Sequence, residues 1–83
     1  MKRFPQVMIN VRIPAYQREN WKNDEVITNL IDLREAELGD EGRILVRESG
    51  TESLIRVMIE GREFTQINRI AMEISELIRQ RLC

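Results

Sequence analysis

A polar turn between two β-like runs is the feature of this sequence that most limits its fold. Residues 42–47 and 54–60 are short and rich in Ile, Leu, Val and Met, which is typical of strands. The segment between them contains Ser49, Gly50 and Thr51, three residue types that favour turns. We therefore expect an antiparallel hairpin whose tip lies near Gly50.

The side chains of this predicted hairpin divide between two faces, because successive side chains of a strand point in opposite directions. Counting by two places one apolar set toward the helices of the fold: Ile44, Val46, Ile55, Val57 and Ile59. The opposite face receives Arg47 and Arg56 near the loop, together with Met8, Arg12, Leu45 and Met58. A face that mixes arginine with apolar side chains suggests a docking site. The alternative is that the arginine stems shield the apolar side chains from water.

Periodicity and capping residues predict the remaining elements. Residues 6–13 alternate apolar and polar side chains, which indicates a strand, and residues 15–23 form a polar connection. Asp24 is a suitable N-cap for a helix that ends at Gly39. Thr65 is a suitable cap for a last helix, whose apolar stripe comprises Ile67, Ile70, Ala71, Ile74, Leu77 and Ile78. The predicted fold class is α+β, in the order β-α-β-β-α, with an antiparallel sheet and two helices on one face.

Composition narrows the classes of function. With 83 residues, the chain is expected to form a single domain over residues 1–83. A net charge of −1 argues against binding to nucleic acid or to a membrane surface. The chain has no histidine, and Cys83 is its only cysteine, so a disulfide framework, a zinc site and a histidine-based triad are excluded. No apolar run approaches the length of a bilayer span, and we expect a cytoplasmic protein.

The predicted loop carries the types of donor that bind phosphate. Arg47 and Arg56 flank it, and each guanidinium presents a planar fork of donors that matches phosphate oxygens in pairs. Ser49 and Thr51 supply hydroxyl groups, and Gly50 permits a positive φ that would turn successive N–H groups into one concavity. These five residues are the candidate anion-binding site, with no catalytic or metal-binding residue assigned. An ordinary polar hairpin loop is the alternative.

The block from Gly42 to Gly61, with its Arg-Glu-Ser-Gly-Thr-Glu motif at residues 47–52, resembles the C-terminal domain of the bacterial phosphoglucosamine mutases, in the α-D-phosphohexomutase superfamily. The superfamily pattern there is Arg-Pro-Ser-Gly-Thr-Glu-Pro-x-x-Arg. The run at residues 4–12 is similar to the segment that enters this domain. Glu48 and Ser53 stand where prolines are usual. We expect the Glu48 side chain to face away from Arg47, since neighbours in a strand do so.

This resemblance implies a TATA-binding-protein-like or ferredoxin-like domain of a larger isomerase. The whole enzyme would interconvert glucosamine 6-phosphate and glucosamine 1-phosphate, on the route to cell-wall precursors, through a phosphoserine and a bisphosphorylated intermediate. This domain would bind the phosphate that is not reacting, through Arg47, Ser49, Gly50, Thr51 and Arg56. Mg²⁺ would be held elsewhere in the enzyme by an Asp-rich loop. The implied partners are the phosphosugar and the remaining domains, with no nucleic acid and no membrane.

The machinery of phosphoryl transfer is absent from the sequence. None of the three serines, Ser49, Ser53 and Ser75, stands in the active-serine context of that family, so we expect the isolated chain to be catalytically inactive. Glu52 is expected to brace the loop as an acceptor, and Trp21 to be a packing residue. The alternative function is an autonomous anion- or ligand-binding module that regulates a partner. RNA binding through the sheet is disfavoured, because the predicted open face lacks stacking aromatic side chains.

Overall fold

The computed structural model describes residues 4–17, 20–49 and 52–82, which form three strands and two α-helices. In chain order these elements are β1 (Gln6–Arg12), α1 (Glu25–Leu38), β2 (Arg43–Glu48), β3 (Leu54–Glu60) and α2 (Phe64–Leu82). Both strand pairs are antiparallel, and β3 lies between β1 and β2. The predicted α+β order and the antiparallel sheet are confirmed. In the described part of the chain, neither α-helix is long and apolar enough to cross a membrane.

The core lies between the sheet and the two helices. On β3 the predicted helix-facing side chains of Ile55, Val57 and Ile59 are completely buried, as the period of two required. Most of the helical contribution comes from α2, whose buried side chains include Ile67, Ile70, Ala71, Ile74, Ile78 and Leu82. In α1 only Ile27 is buried. The sheet is therefore covered mainly by the last helix, and α1 packs beside it.

Asp24 fixes the start of α1 and joins it to the end of α2. Its carboxylate accepts hydrogen bonds from the N–H groups of Val26 and Ile27, and from the Nε of Arg81 at 2.6 Å. Burial by itself would raise the pKa of Asp24, but the hydrogen bonds from Arg81 and from these two N–H groups outweigh it and leave the pKa lowered. The predicted N-cap is confirmed. Gly39 follows the helix with a φ of 69°, as a terminating glycine should.

The start of α2 differs from the sequence-based expectation. The predicted cap at Thr65 is wrong, because α2 begins at Phe64 and the Ile67 N–H already donates to the Glu63 carbonyl. The predicted polar connection at residues 15–23 includes short 3₁₀ turns at Ala15–Gln17 and Asn20–Asn23.

Gly42 precedes β2 for a steric reason. A Cβ at this position would lie 2.7 Å from the carbonyl oxygen of Glu60 and 2.9 Å from the Cβ of Leu38. The backbone of Gly42 is extended, so its role is close packing and not an unusual φ. A side chain at residue 42 would force the start of β2 away from α1 and β3.

Candidate functional site

Arg47 and Arg56 are direct partners across the hairpin. Arg47 of β2 lies opposite Arg56 of β3, and Asn10 of β1 lies opposite Arg56 on its other side. Partners in an antiparallel pair have Cα atoms about 4.5–5.5 Å apart and side chains on the same face. Both arginine side chains are exposed. The predicted convergence of the two arginines on one face at the loop end of the hairpin is confirmed.

The face that carries this pair lies opposite the helices, and we call it the open face. A shallow pocket of about 250 Å³ on it is lined by Met8, Leu45, Arg47, Arg56 and Met58. All five were predicted to share this face. Arg12, the sixth predicted member, lies farther along β1 opposite Leu54 and does not line the pocket.

Asn10 is a neighbour of the arginine pair that sequence reasoning missed. Period-two counting places it on the same face of β1 as Met8, but only the pairing of β1 with β3 brings it beside Arg56. Nothing in the local sequence specifies which strands pair. The alternation of β1 combined with an assumed strand order of β1-β3-β2 would have found it.

The arginine pair differs from the other basic side chains in its electrostatic surroundings. Within residues 4–17, 20–49 and 52–82, carboxylates lie within ion-pair distance of Lys22, Arg34, Arg43, Arg62, Arg79 and Arg81. In those same ranges no carboxylate pairs with Arg47 or Arg56, although acidic residues make up 14 of the 83 in the chain. Two like charges therefore face each other across the strands without a described counterion, which is an unfavourable arrangement in a free sheet.

Contrast with Arg34 shows how the same side chain behaves when it is structural. The guanidinium of Arg34 on α1 donates to both carboxylate oxygens of Glu73 on α2, at 2.7 and 3.1 Å, and to Glu37 at 2.8 Å. These hydrogen bonds raise the pKa of Arg34 above its ordinary value. Arg34 thus joins the two helices with its donors occupied by carboxylates.

Ser49 makes two hydrogen bonds to residues on the other side of the loop. Its Oγ accepts a hydrogen bond from the Glu52 N–H at 3.2 Å, and its own N–H donates to the Leu54 carbonyl at 3.0 Å. On the other side of the loop, the Ser53 carbonyl accepts from the Ile13 N–H at 3.0 Å. The expectation that Glu52 braces the loop as an acceptor is wrong. Glu52 contributes its main-chain N–H, and within the described ranges its carboxylate forms no hydrogen bond or ion pair.

Two of the five predicted site residues, Gly50 and Thr51, lie outside the described residues. The predicted positive φ at Gly50 and the hydroxyl contact from Thr51 therefore remain predictions. The other three, Arg47, Ser49 and Arg56, are described, and they lie within two residues of each other along the paired strands.

Glu48 faces the helix side of the sheet, as predicted. It is the Cα partner of Ile55, whose buried side chain points into the core. The Glu48 carboxylate accepts a hydrogen bond from the Nζ of Lys22 at 2.9 Å. The negative charge at residue 48 is thus directed away from the arginine pair, even though Glu48 adjoins Arg47 in the chain.

Trp21 packs, half-buried, against the hydrophobic core, and this confirms its prediction as a packing residue.

Comparison with known proteins identifies the fold and its family. The family described as "Phosphoglucomutase/phosphomannomutase, C-terminal domain" matches residues 8–77, which include both strands of the hairpin, all of α1 and most of α2. The chain belongs to this family. The resemblance inferred from the hairpin motif is thereby confirmed.

Individual relatives agree with this membership. The chain is 42% identical over 82 residues to a phosphoglucosamine mutase of Alkaliphilus oremlandii, which covers 99% of the chain and 18% of that protein. It is 51% identical over 76 residues to a phosphoglucosamine mutase of Acidovorax ebreus, covering 92% of the chain and 17% of that protein. The chain therefore spans less than a fifth of the length of these relatives.

Solved structures share the architecture. An N-acetylphosphoglucosamine mutase of Aspergillus fumigatus superposes with a TM-score of 0.75 over 93% of the chain and 15% of that protein, at 19% identity, which shows the fold alone. An N-acetylglucosamine-phosphate mutase of the α-D-phosphohexomutase superfamily, solved in its substrate complex, gives a TM-score of 0.72 at 26% identity, over 90% of the chain and 15% of that protein.

Proposed function

We propose that the open face binds the phosphate group of a phosphosugar, within an enzyme that interconverts glucosamine 6-phosphate and glucosamine 1-phosphate in the cytoplasm. Residues 1–83 would be the single C-terminal domain of that enzyme. Its binding residues would be Arg47, Ser49, Gly50, Thr51 and Arg56.

The observation that carries this proposal is the cross-strand pair of Arg47 and Arg56 without a described carboxylate partner. Their mutual repulsion costs stability in the free domain. A doubly charged phosphate between the two guanidiniums would replace this repulsion with charge-assisted hydrogen bonds, each contributing about 1.5–3 kcal/mol. The two positive charges and their N–H donors therefore favour an anion as the ligand.

The walls of the pocket support the same ligand. Met8, Leu45 and Met58 contribute apolar atoms to the same pocket that the two arginines line. Apolar surroundings lower the local dielectric and strengthen the attraction between a guanidinium and a phosphate. Ser49 and Ser53, on either side of the loop, already make hydrogen bonds, so placing these two residues costs less when a ligand binds.

In the whole enzyme this domain would hold the phosphate that is not being transferred. Binding a remote, non-reacting group orients the reacting end of a substrate. The relatives that cover this chain are phosphoglucosamine mutases more than five times its length. The phosphoserine that donates the phosphoryl group, and through it the bisphosphorylated intermediate, would belong to the rest of the enzyme.

Mg²⁺ is also assigned to the rest of that enzyme. Across the described residues, no three potential ligands among Asp, Glu, Cys and His lie together in a group that could hold a metal ion. The side chains of this part of the chain do not fit the ion, and no step is assigned to it here.

An amide NMR titration of the chain tests the proposal with inorganic phosphate, glucosamine 6-phosphate and glucosamine 1-phosphate. We expect weak, millimolar binding, since the other contacts to the sugar come from outside this chain, and chemical shift changes centred on residues 47–56. Arg47→Ala and Arg56→Ala should each abolish these changes.

Arg69→Ala is the matched control. Arg69 is also exposed and without a described carboxylate partner, but it lies on α2, on the far side of the sheet from the pocket. This variant should bind phosphate as the unmodified chain does. Equal losses in Arg69→Ala and Arg47→Ala would show non-specific attraction and refute the proposal.

A further inference from the structure

The contact between Lys22 and Glu48 joins two distant parts of the chain next to the candidate site. Lys22 lies in the 3₁₀ turn Asn20–Asn23, and Glu48 is the last residue of β2. The Nζ of Lys22 lies 2.9 Å from Oε1 of Glu48 and 5.8 Å from the centroid of the Trp21 ring. The ammonium group of Lys22 therefore takes part in both a salt bridge and a cation–π contact.

The position of Glu48 makes this contact relevant to the loop. Glu48 directly precedes Ser49, whose Oγ and N–H make the hydrogen bonds that order the loop. It also directly follows Arg47, one member of the arginine pair. A restraint on Glu48 therefore acts on the backbone that leads from Arg47 into the loop.

The other end of the contact is itself anchored. Trp21 packs against the core, and Asp24, two residues after Lys22, accepts a hydrogen bond from Arg81 of α2. The side chain of Asp24 is only 14% exposed. The segment that presents Lys22 is thus attached to the helical layer at both of its ends.

We propose that Lys22 and Glu48 are positioning residues for the anion site, and that their ion pair fixes the end of β2 from which the loop departs. This inference rests on the proposed function. A proline at residue 48 would restrain this backbone covalently. Here the restraint is an ion pair with an exposed ammonium group, so it weakens as salt screens the two charges.

The geometry of β2 allows proline to be used as a test. The Ser49 N–H donates to Leu54 of β3, and neighbouring residues of an antiparallel strand direct their N–H groups to opposite sides. The N–H of Glu48 therefore points away from β3, toward the outer edge of an edge strand. Proline is tolerated at such positions.

The experiment measures phosphate affinity by NMR titration at low ionic strength for the unmodified chain and for K22M, E48P and the double variant K22M/E48P. We expect K22M to weaken binding about two- to fivefold, the range set by a partly exposed ion pair. In the E48P background the same Lys22 substitution should change affinity little. An equal loss in both backgrounds would mean that Lys22 acts only through its charge, and would overturn the proposal.

R62M is the control for the loss of one positive charge. Arg62 forms an ion pair with Glu41 at 3.0 Å, beyond the end of β3 that is remote from the loop. We expect R62M to bind phosphate as the unmodified chain does. A loss as large as that of K22M would again count against positioning.

Amide hydrogen exchange without phosphate gives a readout independent of the proposed ligand. K22M and E48Q should each speed exchange at Ser49 and Glu52, their double variant should add nothing further, and E48P should restore slow exchange. Unchanged exchange in both single variants would refute the positioning role. If the unmodified chain binds no phosphate, the proposed function fails, while exchange still decides whether the ion pair orders the loop. Should E48P fail to fold, the E48Q cycle alone decides.

Discussion

The two faces of the sheet are built from alternate residues of the same strands, yet one face is apolar and buried and the other carries exposed charges. On the helix side, Ile55, Val57 and Ile59 are completely buried and contribute to the core. On the open face, Arg56 alternates with them along β3 and opposes Arg47 without a described counterion. The comparison shows that one hairpin carries a tightly packed apolar face and, on its other side, a charged face that contributes little to the core.

The largest expected difference in the free energy of unfolding is between substitutions of two neighbouring residues on opposite faces of β3. Ile59→Ala removes a buried side chain and should lower the free energy of unfolding by about 2–5 kcal/mol. Met58→Ala, one residue earlier and half-buried on the open face, should cost clearly less. Urea denaturation of the two variants measures the difference. Equal losses would show that the open face contributes to stability as much as the core does.

A smaller loss of stability is expected when the N-cap of α1 is removed. Asp24→Ala removes the N-cap of α1 and should cost about 0.5–2 kcal/mol. Asp24→Asn keeps a capping oxygen but removes the charge that pairs with Arg81. Urea denaturation of both variants separates the contribution of the cap from that of the ion pair with Arg81.

Acid titration tests the same residue. Because the folded-state pKa of Asp24 is lowered from its ordinary 3.8, its contribution to stability is complete above that value and is lost as pH falls through the lowered folded pKa. The unmodified chain should therefore lose stability between neutral and acidic pH more steeply than Asp24→Asn. Parallel pH profiles of the two proteins would show that Asp24 does not contribute this linkage.

The smallest effect, and the one with the opposite sign, concerns the arginine pair. Arg47→Met removes a like charge opposite Arg56 while keeping a long apolar stem, and should raise the free energy of unfolding by about 0.2–1 kcal/mol at low salt. The gain should shrink as salt is added. Arg69→Met, as the control, should change nothing.

Comparison of Arg47→Met with Arg47→Ala decides whether shielding of apolar side chains is the main role of this arginine. If shielding dominates, the alanine variant loses stability and the methionine variant does not gain any. If repulsion dominates, the methionine variant becomes more stable than the unmodified chain. Thermal unfolding at two salt concentrations distinguishes the two outcomes.

Local patterns were sufficient to predict the parts of the fold that depend on neighbours in the chain. The period of two in β2 and β3 placed Arg47 and Arg56 on one face, and Asp24 was recognisable as a cap because its role involves only the next three residues. The same reasoning from residue type gave a wrong prediction for Thr65. A capping residue type within the first turn does not determine where the helix begins, because Glu63 already accepts the first hydrogen bond.

Contacts between residues far apart in the chain could not be predicted from the sequence. Lys22 and Glu48 are 26 positions apart, and no local pattern brings them together. Asn10 reaches Arg56 only through the pairing of β1 with β3. Such contacts depend on how the helices and strands pack as a whole, and a single sequence does not specify that packing.

The hydrogen bond from the Ile13 N–H to the Ser53 carbonyl has a mechanical consequence. It joins the residue that follows β1 to Ser53, which directly precedes β3. On the β2 side, the Ser49 N–H donates a second main-chain hydrogen bond, to the Leu54 carbonyl. Ser49 and Ser53, on either side of the loop, are therefore each fixed to a neighbouring strand, and a movement of either residue has to break a main-chain hydrogen bond or move a strand with it.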